Sequence, residues 1–338
     1  MPRNRRRPPA LLWGGGCIAA LLLIALAAPL LAPYDPDEQL DPPAGGYRPP
    51  GTVLAAVHLT DGSWRLAERA RRTPSGLEIS RLGKVETLPA SRVLNLTPGG
   101  VAGRRIYLFG SDRFGRDLLS RILHGARVSL AVGVTAVLLA LTLGVAVGSA
   151  AALGGRLADA VLMRGVDALL AFPKLFLMIA LAAFFRPGPV AVVALLGCIA
   201  WMGISRQTRA ELLSLKNRDF VVAARAMGQH PLVTLWRHLL PNAFTPVLIQ
   251  TTLLIGNLIL LESSLSFLGL GIQPPTPSWG NLIAEGQDVL VQAWWIATFP
   301  GAAIAVTVIA FNLLADGLRD LLDPRAQSEG GDAMLPAP

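Results

Sequence analysis

An ionisable side chain inside an apolar run is the first place to look for chemistry, and Glu262, within residues 244–271, is the clear case. A charge at membrane depth costs at least about 2.5–3.5 kcal/mol, so such a residue is a functional candidate by default. Asn257 lies near one helical turn away and is a candidate hydrogen-bond partner. Together they would mark a polar spot on an otherwise apolar pathway, although a helix–helix interface or the outer boundary of the span accounts for Glu262 equally well. Other reactive groupings are scarce. His58, His124, His230 and His238 are dispersed without ligand spacing. Cys17 and Cys198 form neither a metal motif nor a disulfide framework. There is no Gly-x-x-x-x-Gly-Lys loop, no nucleophile elbow and no His-Glu-x-x-His. No catalytic residue, metal or cofactor is therefore expected, and the chain is not expected to hold ATP itself.

The other distinctive residues suit a mechanical role. Val222-Ala223-Ala224-Arg225-Ala226-Met227-Gly228 is followed by Pro231 and by His238-Leu239-Leu240-Pro241. Gly228 can end one helix in the left-handed conformation, and Pro231 can begin the next, where its missing N–H is unneeded. Leu232, Leu235, Trp236, Leu239 and Leu240 then make one apolar stripe, which Pro241 is expected to stop. A structured hairpin on a short polar loop is a surface for presentation to a partner.

The elements that position these residues are membrane spans. The 338 residues are 52% hydrophobic and 15% charged, with mean hydropathy +0.51, whereas soluble domains carry about 25% charged residues. The net charge of +8 is scattered among apolar segments, which argues against a nucleic-acid footprint. Six runs approach or exceed the length that crosses a bilayer: 11–32, 129–153, 169–185, 190–204, 244–271 and 294–314. Arg3, Arg5, Arg6 and Arg7 hold the N-terminus in the cytoplasm, with the first span an uncleaved anchor. That topology also puts Arg156, Arg164, Arg206, Arg209, Lys216, Arg218, Arg225, Arg237, Arg319 and Arg325 inside, and with them the hairpin and the C-terminus. Gly144 and Gly148 are spaced for close helix packing. The fold class is all-α and polytopic: six transmembrane helices, a cytoplasmic hairpin, and a small β-like extracytoplasmic insert. In the insert, 53–59 and 64–66 read as strands around the turn Thr60-Asp61-Gly62-Ser63. It is either decorative or a docking surface for an extracytoplasmic partner. Before the second span, Gly110-Ser111-Asp112-Arg113-Phe114-Gly115-Arg116-Asp117 reads as a turn leading to a helix capped by Asp112 or Asp117, with its arginines snorkelling. Trp279 suits the membrane interface, and Asn312 and Asp316 suit cap and interface positions near the end of the last span. The organisation expected is anchor 1–32, insert loop 33–117, membrane domain 118–325 with coupling loop 206–243, and tail 326–338.

The hairpin resembles the "EAA" coupling motif of binding-protein-dependent ABC importer permeases: Glu-Ala-Ala, three residues, Gly, nine residues, a hydrophobic residue, any residue, Leu, Pro. Ala223, Ala224, Gly228, Leu240 and Pro241 fall in register, while Val222 stands in place of the Glu and His238 in place of the hydrophobic residue. The 110–121 segment resembles the Gly-Thr-Asp-x-x-Gly-Arg-Asp-x-x-Ser-Arg signature of the C-type permease of dipeptide, oligopeptide and nickel importers, with Ser111 for Thr. Blocks at 265–280 and 312–325 are similar to the same family's, so the likeness covers 110–325 and the anchor, but not 52–105. It implies half of a translocation pathway in a bacterial inner membrane, with short peptides as solute and nickel complexes as the alternative. The partners implied are a second homologous permease, two cytoplasmic ATPases that bind the ATP, and an extracytoplasmic solute-binding protein. The hairpin would dock on an ATPase. A secondary transporter, which needs intramembrane ion sites, and a membrane enzyme, which needs an acid, base or metal cluster, are the readings from other classes.

Overall fold

The computed structural model describes residues 8–94, 103–184 and 188–322. The four N-terminal arginines, Phe185 at the end of the third expected span, Asp323-Pro324-Arg325 and the tail lie outside the described residues. In chain order the helices are α1 (Pro9–Leu26), the single turns α2 (Ala28–Leu31) and α3 (Pro42–Gly45), α4 (Leu118–Leu153), α5 (Gly155–Leu170), α6 (Lys174–Ala182), α7 (Pro189–Leu215), α8 (Asp219–Ala226), α9 (Pro231–Thr234), α10 (Leu240–Phe267), α11 (Trp279–Gly286) and α12 (Trp295–Leu322). Five helical stretches among the described residues are long and apolar enough to cross a membrane, and α5 with α6 makes up to a sixth. The polytopic reading holds.

Two compact units divide the chain. One comprises Met1–Leu22, Leu130–Leu265 and Ile304–Pro338; the other comprises Leu23–Ser129 and Ser266–Ala303.

Small residues set the packing of the first unit. A Cβ at Gly144 would lie 2.6 Å from Ile204 Cβ, and one at Gly148 would lie 2.6 Å from the Ser205 carbonyl, so α4 and α7 approach backbone to backbone. Gly14 and Gly317 seat α1 against α12 in the same way, each facing the other helix's backbone. Three span expectations are corrected. The third span is not one run, because α5 and α6 meet at 87° across Ala171-Phe172-Pro173. Pro173 disfavours helix at the residue before it and supplies no N–H. The fourth extends well past residue 204 as α7, carrying Arg206, Arg209 and Glu211 in regular helix to Leu215. The sixth likewise continues through Asn312 and Asp316, which are exposed helical residues and not caps.

The second unit contains the expected β insert. Strands β1 (Thr52–His58), β2 (Trp64–Ala67) and β6 (Gly103–Tyr107) form one antiparallel sheet in the order β2-β1-β6. A second antiparallel sheet, β3-β4-β5, is built from β3 (Arg69–Thr73), β4 (Gly76–Arg81) and β5 (Lys84–Pro89). Alternation buries Val57, Leu77, Ile79 and Leu88 in one core. The first and last strands pair Thr52 with Tyr107, so the insert leaves and rejoins the chain at adjacent positions. Asp41 ties the linker to it, accepting from Leu66 N at 2.9 Å and pairing with Arg81 at 2.6 Å.

Tyr107 is buried and donates its hydroxyl to the Gly115 carbonyl at 2.9 Å. Burial pushes its phenol up to about 12, against the pull of Arg105. The folded chain therefore holds this proton more tightly than the unfolded chain, whose phenol titrates near 10.0; stability is unaffected below that pH and falls as pH climbs toward 12. Tyr107→Phe should abolish that alkaline loss while costing about 1 kcal/mol at neutral pH through the missing hydrogen bond. Thermal unfolding of the detergent-solubilised chain across alkaline pH tests both effects.

The 110–121 block folds differently from its expected interface role. Asp117 caps α4, its carboxylate accepting from Ser120 N at 2.8 Å, so of the two candidates it is the cap. Asp112 instead closes the preceding turn, accepting from Phe114 N at 2.9 Å and Arg116 N at 3.0 Å. Two of the three arginines do not snorkel: Arg116 and Arg121 are buried between Asp112 and Glu285, with Asp37 at 3.2 Å from Arg121, while Arg113 is exposed. Nor does Trp279 reach an interface. It is buried, its indole donating to the Ile122 carbonyl at 3.1 Å and its backbone N–H to Ser129 Oγ at 3.1 Å.

Candidate functional site

The hairpin begins where α7 leaves its apolar stretch. Asp219 opens α8, favourably placed at the positive end of the helix, and Arg225 lies in its last turn. Gly228 closes it at φ +77°, with Gly228 N bonding to the Arg225 carbonyl at 2.9 Å and Gln229 N to the Ala224 carbonyl at 3.1 Å. This is a Schellman cap, and the left-handed residue it requires is the glycine. His230 Nδ1 then accepts from Leu232 N at 3.3 Å, capping α9 with Pro231 at its first position.

Pro241 does not stop the second helix. Residues Leu235–Leu239 form a π-turn in which Leu240 N bonds back to the Leu235 carbonyl, and α10 continues to Phe267 with Pro246 inside it. The wider turn absorbs a residue that has no N–H and whose ring crowds the preceding turn. The His238 carbonyl is taken by Asn242 Nδ2 at 2.6 Å. Pro241 is thus a joint within a continuous element that joins hairpin to span.

Two faces of the hairpin separate cleanly. Val221, Leu235, Leu239 and Ala243 form a buried cluster with Ala152 at the end of α4 and Leu212 at the end of α7, and Ala224 is buried as well. Lys216 adds an anchor, donating from Nζ to the Ala152 carbonyl at 3.2 Å, a cation on the negative end of α4. The opposite side is apolar and uncovered: Val222 is 53% exposed, Met227 81%, Leu232 56% and Trp236 71%. The stripe expected to act as one surface is therefore split, Leu235 and Leu239 inward, Leu232 and Trp236 outward. Of the motif residues, Ala223, Gly228 and Pro241 are exposed, Ala224 is buried and Leu240 half-buried. The anchoring role of Val221 and Leu212 was missed; their spacing from Ala224 and Leu239 only acquires meaning once the two helices are folded against α4 and α7.

Glu262 and Asn257 do not share a face. Five residues on a helix turn by about 140°. Glu262 is fully buried, whereas Asn257 is exposed and lines a cavity of about 400 Å³ within the first unit. Lys174 and Gln250 also line that cavity, whose remaining walls are aliphatic, Met178 and Leu254 among them. Gln250 and Asn257, seven apart in an apolar run, carried a periodicity signal that a search for ionisable residues passes over.

Comparison with known proteins bears on this arrangement. Residues 128–328 match the family described as binding-protein-dependent transport system inner membrane component, and residues 3–50 match the N-terminal transmembrane domain of oligopeptide transport permease C. The di/tripeptide transport system permease protein DppC of Pseudomonas aeruginosa is 35% identical over 304 residues, covering 90% of this chain and 84% of that protein. A Brucella abortus protein provisionally described as a peptide transport system permease is 46% identical over 224 residues, 66% of this chain and 75% of its own. In fold, the chain is similar to the inward-facing MetNI methionine ABC transporter, with TM-score 0.50 at 18% identity over 61% of this chain and 98% of that one.

Proposed function

The chain belongs to the binding-protein-dependent transport system inner membrane component family, and on that premise we propose that it forms one half of the pathway of an ATP-driven importer of short peptides. It is a multi-pass inner-membrane permease and not an enzyme. The observation that carries the coupling role is the two-faced hairpin. Its inner face is locked to the ends of α4 and α7 through Val221, Leu235 and Leu239, and its outer face offers Val222, Met227, Leu232 and Trp236 to a partner. An exposed apolar surface on a folded hairpin is the mark of an interface.

The partner is a cytoplasmic ATPase, one on each of two homologous permeases, with a solute-binding protein on the far side. Basic residues around the hairpin, Arg206, Arg209, Lys216, Arg218, Arg225 and Arg237, support its cytoplasmic placement and with it cytoplasmic termini. ATP binding draws the two ATPases together; each hairpin moves with its ATPase, and because α9, the π-turn and α10 are continuous, α10 moves too. The cycle alternates inward-open and outward-open pathways. Short peptides are the solute because the relatives with peptide-transport names align over most of their length.

Purification of the tagged chain from its native membrane in mild detergent tests this reading. A P-loop ATPase and a second six-span permease should co-purify, and the complex should take up di- and tripeptides in an ATP-dependent manner. A chain that purifies alone and works from a proton gradient would overturn it. Trp236→Ala should cost the ATPase contact about 2 kcal/mol or more, as buried aromatic anchors do, seen as loss of the ATPase from the purified complex while the second permease stays.

A further inference from the structure

The cavity of the first unit has a composition that the coupling hairpin leaves unexplained. Of its lining residues, Lys174 at the start of α6 is the one ionisable group. Gln250 and Asn257 supply the amides, both from α10, and aliphatic side chains make up nearly all the rest. Gln250, Leu254, Asn257 and Leu261 follow at i, i+4, i+7 and i+11 and all face this cavity. Both amides are exposed. Neutral amides and an ammonium at span positions do not face lipid without cost, so this face of α10 abuts either water or protein.

Seven residues of helix place the two amides about 10 Å apart along the axis, roughly the length of three residues of extended chain. An amide both donates and accepts, which matches a peptide backbone whatever its side chains are. Aliphatic walls accept varied side chains without selecting among them. The single positive charge adds what the amides lack, an attraction for an anion, and a free peptide at neutral pH carries one at its C-terminal carboxylate. Resting on the function proposed above, we propose that Lys174, Gln250 and Asn257 form a peptide-backbone track in this chain's half of the pathway, Lys174 receiving the solute's terminal carboxylate and the two amides its main chain. Glu262, buried on another face of α10, belongs to the interior of the protein and not to the track.

The test uses the assembled transporter in detergent, where both membrane faces meet the reagent, with Cys17 and Cys198 replaced by serine. Gln250→Cys and Asn257→Cys should each react with a charged methanethiosulfonate. Dialanine should slow that reaction more than dialaninamide by about two- to fivefold, the range of a solvent-exposed ion pair. Adding Lys174→Gln should erase the difference between the two peptides, and Lys174→Arg should restore it, which separates charge recognition from a folding defect. Unreactive cysteines, or cysteines that cross-link to the second permease, would show that this face is a subunit interface and overturn the track. Equal protection by the two peptides, or none, would overturn the role of Lys174. If the cysteine-substituted parent has no ATP-dependent peptide uptake while the native chain has it, restoring Cys17 or Cys198 singly supplies the active background for the same readings. Absence of uptake by the native complex would overturn the importer reading itself, and the track with it.

Discussion

Gly228→Val should reduce ATP-driven uptake to background while leaving the amount of chain inserted in the membrane unchanged. The glycine sits at φ +77°, and nothing lies within 4 Å of a Cβ built on it. The substitution therefore meets no neighbour, and its cost is the backbone term alone, on the order of 1–2 kcal/mol for a side chain in the left-handed region. That strain is relieved by opening the Schellman cap, since the bonds from Gly228 N and Gln229 N to the end of α8 require it. Without the cap, α8 loses its fixed angle to α9, and the outer face formed by Val222, Met227, Leu232 and Trp236 no longer presents a single shape. The inner cluster around Leu235 and Leu239 is untouched, which is why insertion survives. Gly228→Asn is the control, because asparagine is the next residue to serve in this cap, and it should retain most uptake. Paired measurements of uptake in proteoliposomes and of chain recovered after size exclusion decide the matter; full activity in the valine variant would remove the hairpin angle from the coupling mechanism.

Asp112→Ala should be the most damaging single change to the second unit, destabilising it by about 3–5 kcal/mol, the scale for removing one partner of a buried ion pair. Asp112 is completely buried, takes two backbone N–H groups and the Arg116 guanidinium, and lies 3.7 Å from Arg121 Nε. Its loss leaves two buried cations facing Glu285, with Asp37 at the margin. Asp112→Asn keeps an acceptor for the turn amides and should fall between wild type and alanine. The midpoint of thermal unfolding in detergent reports the order, and a change under about 1 kcal/mol in the alanine variant would mean that water compensates the arginines.

What the sequence revealed and what it concealed divide by range. The Gly228 cap and the Pro231 start are local, set by one residue's φ and another's missing N–H, and both were readable from residue type. The first β-hairpin was readable too, because alternation and the turn 60–63 lie within one short segment. Arg116 and Arg121 were misread as interface anchors since one of the two acids that enclose them, Glu285, is 169 and 164 residues away, and Asp112 alone does not reveal that they are buried. Trp279 was misread for the same reason, its acceptor Ile122 being 157 residues away. Pro241 failed differently: the rule that proline ends a helix presumes a regular α-turn before it, and the π-turn at Leu235–Leu239 changes which carbonyl the ring meets. Glu262 and Asn257 were grouped by nearness in sequence, whereas helical angle, not spacing alone, decides which residues share a wall.

The pairing of Thr52 with Tyr107 makes the β insert a detachable cassette. Opposed residues on neighbouring strands are about 5 Å apart, so a short turn can bridge the gap once the intervening strands are cut out. Several contacts on the side that remains would need adjusting: Asp41 would lose Arg81 and the Leu66 amide, Glu38 would lose Arg105, Arg48 would lose Glu68, and Ala44 and Tyr107 would lose the cover of Leu54, Ala56 and Leu66. A lineage that trades such a module in or out of a permease must change those contact residues with it, and an experimenter who does the same can use the socket without touching a membrane helix.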